Sequence, residues 1–200
     1  MWYRQPAIIV LGSGRSGTST VARLCHTRIG VCMGHVLKQG DPLNPNGYYE
    51  DWISHSMIQM MVNNNYPFGI DVWLQAMNYQ HQVCSAWGVK DPWLLFLQAV
   101  WGNINPALVV HCTRSLDATV NSWLKVWQSN LGNHGMQAPQ EVVDHYVKLT
   151  QDRQILCEQT KNVWTNHVSI NFDTPQEEHK IVDLIDAKLP DWAKGTISPK

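Results

Sequence analysis

The sequence predicts an α/β fold in which a mainly parallel sheet is flanked by helices. Two largely apolar runs, Ala7–Leu11 and Ala107–Cys112, support this prediction. Such continuous runs are typical of strands that are buried on both faces, as in a parallel sheet. Helical patterns alternate with the strands along the chain, which is the order of elements that this architecture requires.

The strands are predicted from short segments with little polar interruption. Ala7–Leu11 gives the first strand, Ala86–Val89 a short second one and Ala107–Cys112 the third. Apolar residues then alternate over Val168–Phe172, which predicts a late strand with one buried face. Because ligands of such sheets bind beyond the carboxyl ends of the strands, the residues that follow each strand are candidates for a site.

Helical spacing of apolar residues predicts the helices. They are placed after the first strand from about Val21, then over Glu50–Val62, Trp93–Trp101, Ser115–Trp127 and Gln140–Gln159, and finally from Thr174 onward. The last of them is expected to begin with a capping box, in which Thr174 is the N-cap and Pro175 the first helical residue. One face of the second is expected to pack in the core and carries Trp52, Ile53, Met57, Met60 and Met61. The stretch Gly30–Tyr49 is rich in turn residues and predicts a long loop, of a kind that is usually functional or mobile.

Length and composition favour one globular domain over residues 1–200. The chain is 44% hydrophobic and 16% charged, and its net charge is −1. A charge so close to zero argues against binding nucleic acid or an anionic membrane through bulk electrostatics. No apolar run approaches the roughly 18–20 residues that span a bilayer, and no signal-peptide pattern is found. We therefore expect a cytoplasmic protein without an integral membrane segment.

The cysteines and histidines predict no metal site. Five cysteines are scattered without a C-x-x-C pair: Cys25, Cys32, Cys84, Cys112 and Cys157. An odd number without pairing is typical of reduced, mostly buried thiols in a cytosolic protein. The nine histidines form no H-E-x-x-H or similar spacing.

The most informative segment is the loop after the first strand. It contains Gly12, Gly14 and Gly17, and hydroxyl residues follow at the start of a helical pattern. Glycines allow backbone N–H groups to approach phosphate oxygens, and a helix start adds further unpaired donors. The strand, loop and helix together predict a cradle for a phosphorylated ligand. A glycine turn that binds nothing is the alternative.

Two common phosphate motifs fit this loop poorly. A Walker A loop requires G-x-x-x-x-G-K-[ST], and Thr18 stands at the position of its lysine. A dinucleotide-binding G-x-G-x-x-G requires an acidic residue at the end of a second strand, about 20 positions on. The nearest acid is Asp41, in a segment with no strand pattern. An ordinary ATPase, kinase or dehydrogenase is therefore disfavoured.

A third motif family matches this loop and several later segments. Arg15–Ser19 resembles the 5′-phosphosulfate loop of sulfotransferases that use 3′-phosphoadenosine-5′-phosphosulfate (PAPS). Arg114 ends the third strand and is followed eight residues later by Ser122, an offset that resembles the 3′-phosphate site of these enzymes. Asn44–Asp51 and Lys90–Pro92 resemble segments of bacterial-type sulfotransferases, and the latter also resembles tyrosylprotein sulfotransferases. The resemblance runs from residue 8 to about residue 189 and implies a P-loop-like sulfotransferase fold.

The resemblance implies transfer of a sulfuryl group from PAPS to a hydroxyl of a sugar, a lipid or another small molecule, with PAP as the product and no metal. The implied cofactor-binding residues are Gly14, Arg15, Ser16, Gly17, Thr18, Ser19, Arg114 and Ser122. In the implied chemistry, Arg15 holds sulfate oxygens, Lys90 stabilises charge on the leaving oxygen and Glu50 takes the acceptor proton. In-line positioning and charge stabilisation are also what such a transfer requires chemically.

Several alternatives stay open at this point. Glu50 could instead complement a helix dipole, and His35, His55 and His111 are alternative bases. The chain could be an atypical P-loop kinase for a nucleotide or small molecule, or a non-catalytic module that binds PAP. The basic, glycine-rich segment that closes over the 3′-phosphate in many sulfotransferases is only faintly suggested, by Trp192–Gly195.

Overall fold

A computed structural model describes residues 4–35, 37–40, 44, 47–63, 69–132 and 136–194. Asp41, Pro45, Asn46 and Gly195, which entered the sequence analysis, lie outside these residues. In the described part, four parallel strands form one sheet in the order β2-β1-β3-β4. They are β1 (Ile8–Gly12), β2 (Gly88–Lys90), β3 (Leu108–Thr113) and β4 (His167–Asn171). The predicted α/β class, with a parallel sheet flanked by helices, is confirmed.

Six α-helices in the described ranges connect and flank these strands. They are α1 (Thr18–Leu24), α2 (Trp52–Val62), α3 (Ile70–Gln80), α4 (Leu116–Asn130), α5 (Gln140–Thr160) and α6 (Glu178–Asp186). A turn of π-helix, Cys25–Ile29, continues α1, and short 3₁₀ helices cover Pro92–Phe96, Gln98–Asn103 and Asp191–Ala193. Within the described part of the chain, no helix combines the length and apolar character that crossing a membrane requires.

The central strand β1 explains why the apolar runs form a sheet with two cores. All five of its residues are buried. Ile8 and Val10 pack into one apolar cluster and Ile9 and Leu11 into another, on opposite faces of the sheet. Burial on both faces is what a continuous apolar run provides.

The predicted helix over Trp93–Trp101 is wrong, since two 3₁₀ segments replace it. In an α-helix the carbonyl of Leu94 would accept from the N–H of Gln98. Here the indole N–H of Trp101 donates to that carbonyl at 3.0 Å. Leu97, with φ −93° and ψ 47°, then breaks the helical path between the two segments.

The predicted core face of α2 is also wrong in part. Trp52, Ile53 and Met60 are 54%, 42% and 40% exposed, whereas Ser54 and His55 are buried. The indole N–H of Trp73 donates to the hydroxyl of Ser54, and His55 pairs with a buried carboxylate described below. Met57 and Met61 do pack against the core, next to the fully buried Ile58. The buried face of α2 therefore combines apolar residues with the polar residues Ser54 and His55, which have hydrogen-bonding and ionic partners.

The last helix begins at Glu178, and Thr174 does not cap it. The hydroxyl of Thr174 accepts a hydrogen bond from the Gln176 side chain at 3.2 Å. That amide also donates to the carbonyl of Asn171 at 2.7 Å. These contacts fold residues 171–176 into a turn after β4, which displaces the helix start by about one turn.

Candidate functional site

The loop between β1 and α1 is held in a fixed shape by its own hydrogen bonds. The backbone N–H and the hydroxyl of Ser16 both donate to the carbonyl of Ser13, at 3.1 and 2.6 Å. Arg15 has a φ of 72°, a left-handed conformation that is uncommon outside glycine. Strained residues of this kind concentrate at ligand sites, where the surrounding structure holds them in place.

Two loop glycines are required by close neighbours. A Cβ at Gly17, which has a φ of +91°, would lie 2.5 Å from the ring of Phe172. A Cβ at Gly14 would overlap the ring of Trp123 and lie 3.1 Å from a guanidinium nitrogen of Arg153. The loop is therefore packed by side chains of α4, α5 and the residue that follows β4, and its backbone cannot carry side chains at these positions.

The loop borders a cavity of about 210 Å³. The lining residues are Gly14, Arg15, Gly17, Thr18, Ser19, Thr20, Asn44, Tyr48, Glu50, Lys90, Pro92, Arg114, Ser122 and Trp123. These include every site residue predicted from the sequence except Ser16. The side chain of Ser16 is fully buried and turned toward Ser13, so it shapes the loop from inside.

Arg15, Arg114 and Ser122 form one connected group on the α4 side of the cavity. The Arg15 guanidinium donates through Nε to the Ser122 hydroxyl at 3.0 Å, and Arg114 donates to the Arg15 carbonyl at 3.2 Å. Arg114 Nε is buried and has no hydrogen-bond partner among the described residues. Buried N–H groups normally have partners, so Arg114, which lines the cavity, carries an unsatisfied donor.

Glu50 and Lys90, which also line the cavity, form a buried ion pair. Only 5% and 4% of these residues is exposed, and Lys90 Nζ donates to Glu50 Oε1. The other carboxylate oxygen, Oε2, lies 4.0 Å from both Lys38 Nζ and His55 Nδ1. Helix α2 is capped instead by Asp51, whose Oδ1 accepts from the N–H groups of two residues in the first turn. The alternative role considered for Glu50, stabilising the start of a helix, therefore belongs to Asp51 instead.

His55 and Asp91 extend this ionic network beneath the cavity. His55 Nδ1 lies 2.8 Å from Asp91 Oδ2, and both residues are buried. The hydrogen bond to Asp91 raises the pKa of His55. Burial raises the pKa of the Asp91 carboxyl, although the His55 contact opposes this effect. We call Glu50, Lys90, His55 and Asp91 the ionic network.

The other two alternative bases lie elsewhere. His111 is buried on β3 without a hydrogen-bond partner for either ring nitrogen among the described residues, and burial lowers its pKa to about 4. His35 lies in a group with His81 and two cysteines, outside the cavity lining. Of the three histidines, His55 is the one in contact with Glu50.

Sequence reasoning missed three residues that shape the site. Asn44 donates to the Ser19 hydroxyl at 3.3 Å and to the Gly47 carbonyl at 2.8 Å, which joins the long loop to α1. Trp123 packs against Gly14. Arg153 is buried at 4% exposure beneath the same glycine, and burial lowers its pKa. Asn44 begins the Asn44–Asp51 segment that carries part of the family resemblance, but it was given no role. No motif spacing identifies Trp123 or Arg153, because both reach the loop through tertiary packing.

A second group of side chains, also missed, lies outside the cavity. We call it the Cys/His cluster: Cys32, His35, His81 and Cys84. The sequence analysis predicted scattered thiols and no metal site. It did not find this cluster, because the C-x-x-H and H-x-x-C halves come from segments that are far apart in the sequence. Burial lowers the pKa of His81 to about 4, and burial together with Cys32 raises that of Cys84 to about 12.

A larger cavity of about 790 Å³ borders Arg114 from the side of β3 and α5. Its lining includes Ser13, Gln154 and Glu158 but no glycine of the loop. The smaller cavity is the better candidate for an anion, because cations and loop amides converge there.

Comparisons with known proteins identify a fold but no family. No family model and no curated protein matches the sequence. Deoxyadenosine kinase from M. mycoides, solved with bound dATP, is similar over 92% of this chain and 98% of its own, with a TM-score of 0.50 and 12% identity. A candidate kinase from Chloroflexus aurantiacus covers 94% of this chain and 100% of its own, with a TM-score of 0.43 and 11% identity. The first likeness indicates a shared P-loop kinase-type fold.

Proposed function

We propose that the cavity at the loop binds the phosphosulfate end of PAPS and that the chain transfers its sulfuryl group to an acceptor hydroxyl. The observation that carries the proposal is the convergence of Arg15, Lys90 and Arg114 on a glycine loop with Thr18 at the Walker lysine position. Three cations around one cavity suit a ligand with two separated anionic groups. PAPS has such groups, a 3′-phosphate and a 5′-phosphosulfate.

The size of the cavity is consistent with this arrangement. Pockets that enclose a whole drug-sized ligand usually measure about 300–1,000 Å³, whereas this cavity measures about 210 Å³. It therefore fits the charged end of a nucleotide better than a complete one. Arg114, with its buried and unpartnered Nε, is the residue that we assign to the 3′-phosphate.

The proposed chemistry is an in-line displacement at sulfur. The acceptor oxygen forms a bond to sulfur, and the bond from sulfur to the bridging oxygen of the 5′-phosphate breaks. Lys90 stabilises the negative charge that develops on that leaving oxygen, and Arg15 stabilises the sulfuryl oxygens. Glu50 accepts the proton of the acceptor hydroxyl. The products are PAP and a sulfate ester.

The ion pair between Glu50 and Lys90 can couple proton removal from the acceptor to stabilisation of the leaving oxygen. In the pair, Lys90 Nζ donates to one oxygen of Glu50, while Glu50 Oε2 lies 4.0 Å from Lys38 and His55. When Glu50 takes a proton, its hold on Lys90 weakens. Lys90 can then donate more fully to the leaving oxygen, so proton removal and leaving-group stabilisation reinforce each other.

Phosphoryl transfer from ATP is the second candidate. The fold likeness to deoxyadenosine kinase favours it, and Glu50 could then serve as the base for a nucleoside hydroxyl. Thr18 counts against it, because the P-loop lysine holds the terminal phosphates of ATP in that class. The two candidates differ in the role of magnesium, which a phosphoryl transfer requires and a sulfuryl transfer does not.

A parallel binding experiment separates the candidates. We expect PAP, in buffer without magnesium, to raise the melting temperature more than ATP with magnesium or NAD does, because selective binding stabilises the folded state. Radiolabelled PAPS, offered with sugars, lipids and phenols, then identifies an acceptor. A strong response to magnesium–ATP with none to PAP would replace sulfuryl transfer by phosphoryl transfer.

A further inference from the structure

The Cys/His cluster joins two segments that are far apart in sequence. Cys32 and His35 follow the π-helical turn, and His81 and Cys84 lie in the turn after α3. One ligand atom from each of the four residues lies within 4.8 Å of all the others. His81 is buried, the two cysteines are half-buried and His35 is exposed, so an ion can enter from the side of His35.

The spacing of these atoms matches a tetrahedral metal site. Zinc–sulfur bonds of about 2.3 Å and zinc–nitrogen bonds of about 2.0–2.1 Å place ligand atoms about 3.3–3.8 Å apart at the corners of a tetrahedron. His35 Nε2 lies 3.5 Å from Cys84 Sγ and 3.8 Å from Cys32 Sγ, and His81 Nδ1 lies 4.0 Å from Cys84 Sγ. All other pairs of ligand atoms lie within 4.8 Å of each other, so a contraction of at most about 1 Å would complete the geometry.

We propose that the Cys/His cluster binds one Zn²⁺ as a structural site. Two thiolates and two imidazoles are the ligand set of many closed zinc sites, and soft sulfur ligands disfavour magnesium and calcium. All four positions of the tetrahedron are filled by protein, so the ion has no open position for chemistry. The proposal does not depend on which group the cavity transfers.

Neighbouring groups hold the ligands in place, as outer partners do in established metal sites. Arg4 donates to the carbonyl of Cys84 at 2.8 Å and to that of His81 at 3.3 Å. The ring of His81 also stacks on that of Trp87, with centroids 5.5 Å apart. The backbone N–H of Cys32 donates to the carbonyl of Ala86 at 2.9 Å, just before β2.

The cluster also lies next to the segment that carries Glu50. The backbone N–H of His35 donates to Asp51 Oδ2 at 3.1 Å, and Gln80 donates to the same oxygen at 2.5 Å. Leu37 pairs with Asp51 in an isolated bridge. A metal bound at His35 would therefore fix the start of the long loop and, through Asp51, the residue beside Glu50.

Zinc binding can be measured on the intact chain. The protein is freed of metal with a chelator and titrated with Zn²⁺ against a chromophoric competitor, and Co²⁺ serves as the spectroscopic probe. We expect about one zinc per chain and a cobalt spectrum typical of tetrahedral thiolate ligation. Cys84→Ala and His35→Ala should each weaken zinc binding more than about 100-fold, because loss of even an outer partner costs about 10–100-fold.

Matched controls keep the test decisive. Cys157→Ala removes a buried cysteine outside the cluster and His179→Ala an exposed histidine, and neither should change the zinc affinity. Because His35 is exposed, His35→Ala should fold even if Cys84→Ala does not. The proposal is overturned if folded wild-type protein takes up no zinc, or if His35→Ala binds zinc as tightly as the controls.

Discussion

The glycine loop lines the same cavity as two members of the ionic network, Glu50 and Lys90, but the loop and the network are assembled differently. The loop is one continuous segment between β1 and α1, and its shape depends on nearby hydrogen bonds such as those from Ser16 to Ser13. The ionic network combines side chains from the start of α2 and the end of β2. The loop is a local structure, whereas the network exists only after the chain has folded.

Because of this difference, we expect the two regions to contribute differently to ligand affinity and to stability. Arg114, beside the loop, has a buried N–H without a partner among the described residues. A ligand that accepts a hydrogen bond from this N–H would satisfy it. Glu50 and Lys90 satisfy each other and are buried together. Substitutions near the loop should therefore cost ligand affinity, and substitutions in the network should cost both stability and rate.

The largest effect is expected for Glu50→Gln, which removes the proposed base. A general base contributes about 10²–10⁴-fold to a rate, so the transfer rate should fall at least about a hundredfold while PAP affinity is retained. The assay is radiolabelled sulfuryl transfer at a temperature where the variant stays folded. Glu158→Gln, at an exposed carboxylate, is the control. Turnover within a few-fold of wild type would move the base to His55.

Lys90→Met tests the network as a source of stability. It leaves the carboxylate of Glu50 buried without its cation, and breaking a buried pair on one side costs about 3–5 kcal/mol of unfolding free energy. Urea denaturation measures this cost. The double variant Glu50→Gln/Lys90→Met should recover most of it, because neither charge is then buried alone.

The control for this test is an exposed ion pair. Lys161 Nζ lies 2.7 Å from Glu158 Oε1, and that carboxylate side chain is 63% exposed. Lys161→Met should cost less than about 1 kcal/mol. Equal losses for Lys90→Met and Lys161→Met would contradict the assignment of a stabilising role to the buried pair.

Arg114→Ala tests the loop side of the comparison. Losing a hydrogen bond to a charged group costs about 1.5–3 kcal/mol, so calorimetry should show PAP affinity lowered about 10- to 150-fold. The melting temperature without ligand should barely change, unlike that of Lys90→Met. Arg28→Ala, at an exposed arginine, is the matched control. Unchanged PAP affinity in the folded Arg114 variant would remove this residue from the site.

The smallest effect is expected in the pH dependence of stability. The folded-state pKa of His55 is raised by Asp91, above an unfolded value of about 6.5. Its contribution is therefore complete below about pH 6.5 and is lost as the pH rises through the folded pKa. His55→Gln should thus destabilise the protein more at about pH 6 than at about pH 9. Denaturation series at both values check this, and an equal cost at both would show that His55 does not titrate as a member of the network.

The sequence predicts much of the sheet and the loop, because both depend on local patterns. Apolar runs identify β1 and β3, and the glycine spacing identifies the loop between β1 and α1. Helix α3 was missed although its buried residues Ile70, Trp73, Leu74 and Met77 follow helical spacing, so the signal was present. The exposed apolar face of α2 could not be predicted, since it depends on polar partners in other segments.

The same reasoning explains which parts of the site could be predicted. Lys90 and Glu50 were identified individually from a family resemblance, but their pairing follows only from the fold. Arg153 has no sequence signal, because its position beneath Gly14 is set by the packing of α5. The two halves of the Cys/His cluster are visible in the sequence only when C-x-x-H and H-x-x-C are considered as a pair.

Calorimetric titration of the wild-type protein with PAP, in buffer without magnesium, tests the central claim most directly. The account predicts saturable binding of one PAP per chain, weakened by Arg114→Ala and unaffected by Arg28→Ala, with clearly weaker binding of ATP even when magnesium is added. Binding of magnesium–ATP in preference to PAP, with equal affinity in both arginine variants, would contradict it.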